Sequence, residues 1–371
     1  MSKIDELIQE YCPEGVEFKM IKDVYLRIKG TPITASKMKE ISNPDGDVKI
    51  FAGGKTVIDA FESNIPNANI TRVPAVLVQS RGVIDAVYYD KPFTFKNEMW
   101  AYTAESKESV KYLYYVLKDN VKYFRDAASG MGSLPQISLK VTEDFKIPVP
   151  PLEVQKEIVK ILDTFTQLEA ELTAELTARK AQYEHYRNQL LTFDDAGGVR
   201  WTTLGEVAMV KSGKNKSRSP EGRYPVYGST GTIGHSDSYV YDDSLLLVAR
   251  VGAYAGLVNK VSGKFDVSDN TLMIKLNDEV NMDYFYYLLV SMNLNQYATG
   301  GGQPLVTAGK LKDLPVPLPS SEEQKRIAAV LGKFDALTND ISQGLPAEIT
   351  ARQKQYEYYR TKLLTFKELS A

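Results

Sequence analysis

The sequence predicts an α+β protein built twice over. Two similar small-sheet globules are joined by two long helical regions, which pack as an antiparallel coiled coil and give the chain a pseudo-two-fold internal repeat. Three observations predict this. A 17-residue string near the middle of the chain returns near its end, and a proline-rich string precedes each of two amphipathic patterns. The stretches between carry short β-rich runs broken by Gly, Asn, Asp and Pro.

Residues 177–193 read TARKAQYEHYRNQLLTF and residues 350–366 read TARQKQYEYYRTKLLTF. Thr177, Arg179, Gln182, Tyr183, Tyr186, Arg187 and Leu190–Phe193 thus recur 173 positions later. Upstream, Ile147-Pro-Val-Pro-Pro151 answers Leu314-Pro-Val-Pro-Leu318. Gln155, Ile158, Leu162 and Phe165 answer Gln324, Ile327, Leu331 and Phe334, now 169 apart. Weaker echoes pair Val16–Val24 with Val199–Val207, and Ser80-Arg81-Gly82 with Ala249-Arg250-Val251-Gly252. The order is variable unit (1–146), helical unit (147–195), variable unit (196–313), helical unit (314–371).

Each helical unit carries the 3-4 apolar spacing of a helix packed on another helix. In the first, Phe165, Leu172 and Leu176 lead to Tyr183, Tyr186 and Leu190; in the second, Phe334 and Ile341 lead to Tyr356, Tyr359 and Leu363. The prolines bar helix upstream, so helices are expected after Pro151 and Pro319, the latter capped by Ser320/Ser321 with Glu322 and Glu323 following. Neither stripe can bury itself alone, so the two are expected to bury each other. Phe165 to Thr177 spans 12 positions and Phe334 to Thr350 spans 16, and Gly344-Leu-Pro346 is expected to kink or break the second helix there. In the variable units, Ala75–Gln79, Asp85–Tyr89, Ser244–Val251 and Leu272–Leu276 read as strands, and 110–118 and 282–292 as Tyr-rich helices.

Composition is that of an ordinary globular protein, with 43% apolar and 25% charged residues. One cysteine, Cys12, excludes an internal disulfide framework, and two histidines leave little for a histidine metal site or an acid–base network. No run reaches the roughly 18 apolar residues of a membrane span, and the amphipathic N-terminus lacks a signal-peptide core, so a cytoplasmic protein is expected. The net charge of −2 neither supports nor excludes a nucleic-acid partner.

Motifs that suggest catalysis are incomplete. Gly53-Gly54-Lys55-Thr56 ends like a phosphate loop, but Lys49 stands where the first glycine belongs. Pro44-Asp45 and Asp47-Val-Lys49 contain pieces of a nuclease pattern too close together for separate strands, and turn chemistry accounts for them. There is neither a Gly-x-Ser-x-Gly nor an Asn/Asp-Pro-Pro-aromatic string. The chain is expected to be non-catalytic, with no cofactor of its own. Basic and amide side chains in loops are the informative set: Lys29, Thr31 and Lys37; Arg81; Lys96 and Asn97; Lys211, Lys214, Asn215, Lys216, Ser217 and Arg218; Tyr227; Arg250; and Asn270. Arg and Lys suit phosphates and guanine edges, and Asn suits adenine. A solvated loop or a satisfied turn is the competing reading of each.

At this point the chain resembles the specificity subunits of type I restriction–modification systems. The likeness rests on Tyr224-Pro-Val-Tyr-Gly-Ser-Thr-Gly-Thr-Ile-Gly234, Leu247-Val-Ala-Arg-Val-Gly252, Ser268-Asp-Asn-Thr271, Gly302-Gln-Pro304, and Glu323-Gln-Lys-Arg-Ile327, with Pro13-Glu-Gly-Val-Glu17 before Ile21-Lys-Asp-Val24 as the opening. It covers essentially the whole chain, although the first half offers Ile50-Phe-Ala-Gly-Gly54 in place of the Tyr-Gly-rich string. The resemblance implies two target-recognition domains, each reading half of a split site in double-stranded DNA. It implies two conserved helical regions that set the spacing and dock two modification subunits holding S-adenosylmethionine. A nuclease–translocase restriction subunit is a further candidate partner, and no membrane is implied. The alternatives are a reader serving a type II-like system and a protein scaffold that never touches DNA.

Overall fold

The computed structural model describes residues 2–129, 134–193, 199–214, 219, 221–300, 302–340 and 342–369. The first part of the chain forms α1 (Lys3–Tyr11), β1 (Phe18–Met20), α2 (Ile21–Val24), β2 (Leu26–Ile28), α3 (Ala35–Ile41), β3 (Val48–Phe51) and β4 (Val57–Ala60). It continues through β5 (Ala75–Gln79), β6 (Asp85–Tyr89), β7 (Phe93–Phe95), β8 (Trp100–Thr103), α4 (Lys107–Asp119), α5 (Val121–Asp126), α6 (Leu139–Glu143) and β9 (Lys146–Pro148). The 40-residue helix α7 (Leu152–Leu191) follows. Next come β10 (Arg200–Thr203), α8 (Leu204–Val207), β11 (Ala208–Ser212), β12 (Tyr224–Gly228), β13 (Gly231–Ser236), β14 (Tyr241–Ala249), β15 (Val258–Val267) and β16 (Thr271–Leu276). The chain closes with α9 (Met282–Ser291), α10 (Ala308–Lys312), β17 (Pro315–Leu318), α11 (Ser321–Asn339) and α12 (Leu345–Leu364).

Two compact units result: Met1–Glu171 with Ile349–Ala371, and Leu172–Glu348. In the first unit, buried Tyr102, Tyr112, Leu113, Tyr115, Ile158 and Leu162 pack with Leu363 and Leu364 from the end of α12. Phe165 stacks on Tyr359 with ring centroids 5.6 Å apart and also meets Tyr356 at 6.2 Å. Gln353 donates to Glu169 at 2.7 Å, so numbering rises on α7 as it falls on α12 and the pair is antiparallel. In the second unit the later part of α7 plays the reciprocal part. Tyr183 and Tyr186 meet Phe334 of α11 at 6.5 and 5.5 Å, and Leu190 packs on a core that includes Ile327 and Leu331. Leu172 is buried and Leu176 half-buried, whereas Ile341 lies outside the described residues.

The sequence left open whether Gly344-Leu-Pro346 kinks or breaks the second helix. The structure shows a break. Helix α11 ends at Asn339 and α12 begins at Leu345, so most of the extra length between Phe334 and Thr350 goes into a turn. The Asp340 carboxylate accepts from Ser342 N at 2.7 Å, and Gly344 N donates to the Asp340 carbonyl at 3.1 Å. A Cβ on Gly344 would stand 2.4 Å from the Ala336 carbonyl oxygen, so glycine is required for that approach.

Both sheets follow one topology. Leu77 on β5 faces Val87 and Ala101, as Leu247 on β14 faces Asn259 and Met273. Ile50-Phe51 run parallel to Thr94-Phe95, as Val226-Tyr227 run parallel to Asp266-Val267. Ile50-Phe-Ala therefore occupies the register of Val226-Tyr-Gly, despite its different appearance. The second unit has one six-stranded sheet ordered β11-β16-β14-β15-β12-β13; the first splits into β2-β8-β5-β6 and β4-β3-β7. The split falls at Pro74 and Pro92, whose counterparts by register are Ser244 and Lys264 within β14 and β15. Proline brings no N–H to a ladder, so a continuous strand becomes two.

The register also corrects one expected pairing. Tyr112 donates to the Pro148 carbonyl at 3.2 Å and Tyr284 to that of Pro317 at 3.0 Å. Gln155 donates to the Pro150 carbonyl at 2.7 Å and Gln324 to that of Pro319 at 3.0 Å. Ile147 thus answers Val316 rather than Leu314, and the 169-residue spacing of the helices already holds in the proline strings. A Pro-x-Pro string aligns with itself at a two-residue slip; pairing with β1 and β10 fixes which alignment is real.

One difference between the units has an energetic consequence. Arg360, over the Tyr356 ring, donates to Asp119 at 2.9 Å, and Thr361 donates to the same carboxylate at 3.0 Å. Its counterpart Arg187 lies over Tyr183, but Ser291 stands where Asp119 would be, and among the described residues the buried Arg187 Nε has no hydrogen-bond partner. Asp119→Ala is expected to destabilise the first unit by about 1.5–3 kcal/mol, the worth of a hydrogen bond to a charged group. Ser291→Asp is expected to raise the unfolding midpoint of the second unit. Thermal unfolding of both variants checks the pair.

Candidate nucleic-acid interface

In the first unit, the loop ends of the strands gather polar side chains around two clefts that share Glu98. One, of about 590 Å³, is lined by Arg27, Lys29, Asn69, Asn97, Trp100 and Gln136 among others. The second, of about 530 Å³, is lined by Lys39, Gly53, Gly54, Arg81, Lys96 and Leu134 among others. Sheet geometry sets these positions. Lys29 follows β2, Arg81 follows β5, and residues 96–98 connect β7 to β8. Hydrogen bonds hold the loops together: Gly54 N donates to the Arg81 carbonyl at 3.0 Å, the Gln79 side-chain amide to the Gly54 carbonyl at 3.0 Å, and Lys96 N to the Phe51 carbonyl at 3.0 Å. Gly53-Gly54 sit in the β3–β4 turn and do not open a helix, unlike a phosphate loop. Likewise Asp45 N is bonded by Asn43 in a turn, and Lys49 pairs with Asp59 at 2.6 Å.

The expected contact residues divide. Lys29, Arg81 and Asn97 are exposed at the cleft walls, and Lys96 is held 3.0 Å from the Glu98 carboxylate. Lys37 lies on α3, paired with Glu40 at 2.7 Å, and lines neither cleft. Thr31 is a correction. It is fully buried, its hydroxyl bonded to Thr94 Oγ1 at 2.7 Å and accepting from Asn69 N at 2.9 Å, so it is a core residue and not a surface contact. Beneath the clefts, Trp100 and Tyr102 both bond the Thr142 hydroxyl at 2.9 Å. Burial pushes the Tyr102 phenol up to about 12. Sequence reasoning missed Glu98, Asn69 and Gln136. Only strand register brings them to the clefts, because they belong to no motif.

In the second unit, Lys211 ends up exposed on β11 and Lys214 exposed just after it, with Lys214 N donating to the Val267 carbonyl at 3.0 Å. Asn215, Lys216, Ser217 and Arg218 lie outside the described residues. Tyr227 is half-buried and packs edge-on against Phe265 at 5.6 Å, so its ring belongs to an apolar layer. Arg250 is half-buried near the Asp269 carbonyl at 3.5 Å, and Asn270 is exposed. Two glycines mark the same point in both units. A Cβ on Gly30 would stand 2.1 Å from the Phe95 carbonyl oxygen, and one on Gly213 would stand 2.4 Å from that of Val267.

The chain matches the type I restriction modification DNA specificity domain twice, over residues 13–178 and 198–351. It belongs to that family. The EcoR124I/EcoR124II specificity subunit of Escherichia coli is 35% identical over 393 aligned residues, covering 91% of this chain and 96% of the relative. The Escherichia coli EcoprrI specificity subunit is 38% identical over 254 residues, and that match spans only 63% of either chain. A solved type I restriction–modification S subunit from M. genitalium superposes with a TM-score of 0.67 at 17% identity, covering 94% of this chain and 96% of that one. A chain from a type I restriction–modification assembly gives 0.57 at 17% identity, over 95% and 98%. At such identities the structural likeness is one of fold.

The two specificity domains can now be compared position by position. Gly82 N donates to the Pro135 carbonyl with φ +79°, and Gly252 N to that of Pro304 with φ +82°. With these glycines matched, Arg81 answers Val251 and Arg250 answers Ser80. The expected Arg81–Arg250 pair is therefore one residue out of step. Thr31 and Lys214 occupy one backbone position, donating to Phe95 and Val267, yet one faces the core and the other solvent. Thr31→Val is expected to cost about 1–3 kcal/mol of stability, by leaving Thr94 Oγ1 and Asn69 N without their partner. Denaturant unfolding measures the loss, and an unchanged midpoint would return Thr31 to the surface set.

Proposed function

We propose that this chain is the DNA-reading subunit of a type I restriction–modification complex. The single observation that carries this reading is that one DNA specificity domain matches the chain twice, over residues 13–178 and 198–351. Residues 1–146 and 196–313 each read one half of a bipartite site. The helical regions 147–195 and 314–371 dock two modification subunits, with Leu172, Leu176, Tyr186, Leu190, Tyr359 and Leu363 on their packing stripes. Those partners bind S-adenosylmethionine and methylate adenine; this chain does no chemistry, and a restriction subunit completes the nuclease form. The names of its relatives, specificity subunits of type I restriction enzymes, support this reading.

The physical logic is that of tethering. One domain makes a few base contacts worth about 1–3 kcal/mol each, which is modest against the genome. Joining two makes the second encounter intramolecular. Helix α7 contributes to both units without interruption, so its length is the natural determinant of half-site spacing. Inserting Thr-Ala-Glu-Leu after Leu176 adds about 6 Å of helix and is expected to lengthen the gap between half-sites. Mapping methylated adenines in cells carrying the insertion tests this; an unchanged gap sinks the ruler. Exchange of residues 200–313 for the matching segment of another family member is expected to alter one half-site only. Changes in both halves would contradict one reader per domain.

A further inference from the structure

We propose that one topological position, Glu98 in the first domain and Asn270 in the second, reads a base edge in each half-site; this rests on the DNA-reading function above. Register establishes the equivalence. Trp100 faces Val78 as Leu272 faces Val248, which places Glu98 with Asn270 two residues upstream. The turns match bond for bond. Lys96 N donates to the Phe51 carbonyl and Ser268 N to that of Tyr227, while Met99 N and Thr271 N close the turn onto the Lys96 and Ser268 carbonyls at 2.9 and 3.1 Å. The backbone at the position is clamped in both domains. The Glu98 carbonyl accepts from the Ser80 hydroxyl, and the Asn270 carbonyl accepts from Arg250 N at 2.9 Å and the Ser229 hydroxyl at 2.8 Å. A fixed backbone with a differing side chain is what a reading position requires.

The chemistry of the two side chains then decides what they meet. Glu98 lies in the wall common to both clefts of the first domain, among Lys29, Lys39, Arg81 and Lys96. A carboxylate facing a polyanion is repelled by phosphate, so its useful partner there is a base amino group, of which the cytosine N4 amine in the major groove is the matching donor. Lys96 is 3.0 Å from one carboxylate oxygen. An ionised carboxylate accepts at roughly four sites, so capacity remains. Asn270 is exposed and offers both a donor and an acceptor, the pair that fits adenine N6 and N7. The equivalent positions of the two half-sites therefore differ, an amine donor opposite Glu98 and an adenine opposite Asn270.

The test uses the full chain expressed with its modification partners, and reads the methylated motif by genome-wide adenine-methylation sequencing. Glu98→Gln keeps shape but turns one acceptor into a donor. It is expected to change base preference at a single position of one half-site by about 5- to 150-fold, the equivalent of 1–3 kcal/mol. Asn270→Asp is expected to do the same at a single position of the other half-site, and because that side chain is exposed it serves even if Glu98→Gln folds poorly. Lys96→Met removes the ion pair but leaves the carboxylate, and is expected to lower methylation evenly without changing the motif. A parental motif retained by Asn270→Asp overturns the proposal, as does a Lys96→Met variant that reproduces the Glu98→Gln shift. If the unaltered chain with its partners produces no bipartite motif, the DNA-reading function itself fails.

Discussion

The structure depends on a burial problem that neither helical region can solve alone. Helix α7 is 40 residues long with its apolar positions in a stripe, and an isolated stripe of that length would leave Phe165, Leu172 and Tyr183 in water. The solution is reciprocal. In one unit Phe165 is covered by Tyr356 and Tyr359 of α12; in the other Tyr183 and Tyr186 cover Phe334 of α11. The aromatic trio is the same in both, with the roles of early and late helix exchanged. Each core thereby needs residues from distant parts of the chain, and α7 supplies residues to both.

Given that frame, the domains were free to diverge wherever the ladder tolerates it. Two prolines divide a sheet that is continuous in the other copy, yet Leu77 and Leu247 keep the same neighbours across strands. The backbone position that turns Thr31 inward carries the exposed Lys214 in the second copy. Arg360 and Arg187 both lie over a tyrosine ring, but Ser291 stands in the second copy where Asp119 pairs with Arg360 in the first. The last two changes alter only what the side chain presents, and the first interrupts the ladder without moving its register. That is the pattern expected where a fixed scaffold serves different partners.

Legibility followed periodicity. Ala75–Gln79 and Asp85–Tyr89 were readable as strands to the residue, because they are short β-rich runs bounded by turn residues. The cap at Ser320 was readable too, and its hydroxyl accepts from Glu323 N at 3.3 Å. The proline strings were misaligned by two residues and the Arg81–Arg250 pair by one. Low-complexity strings and short motifs carry no register of their own, and pairing partners supply it. Thr31 looked like a loop residue because the sequence does not show that Thr94 and Asn69 converge on its hydroxyl.

The sequence by itself determined that the chain is a repeat, that its helices begin after Pro151 and Pro319, and that it resembles the specificity family. Those features are local or periodic, so they survive in one dimension. Only the tertiary structure decided that the chain breaks between Asn339 and Leu345, that one sheet is split while its copy is whole, and that Glu98 shares a cleft wall with Lys96 and Arg81. The reason is physical. Which side chains meet at a loop cluster is set by strand register and close backbone approach, and both are fixed by contacts between residues far apart in the chain.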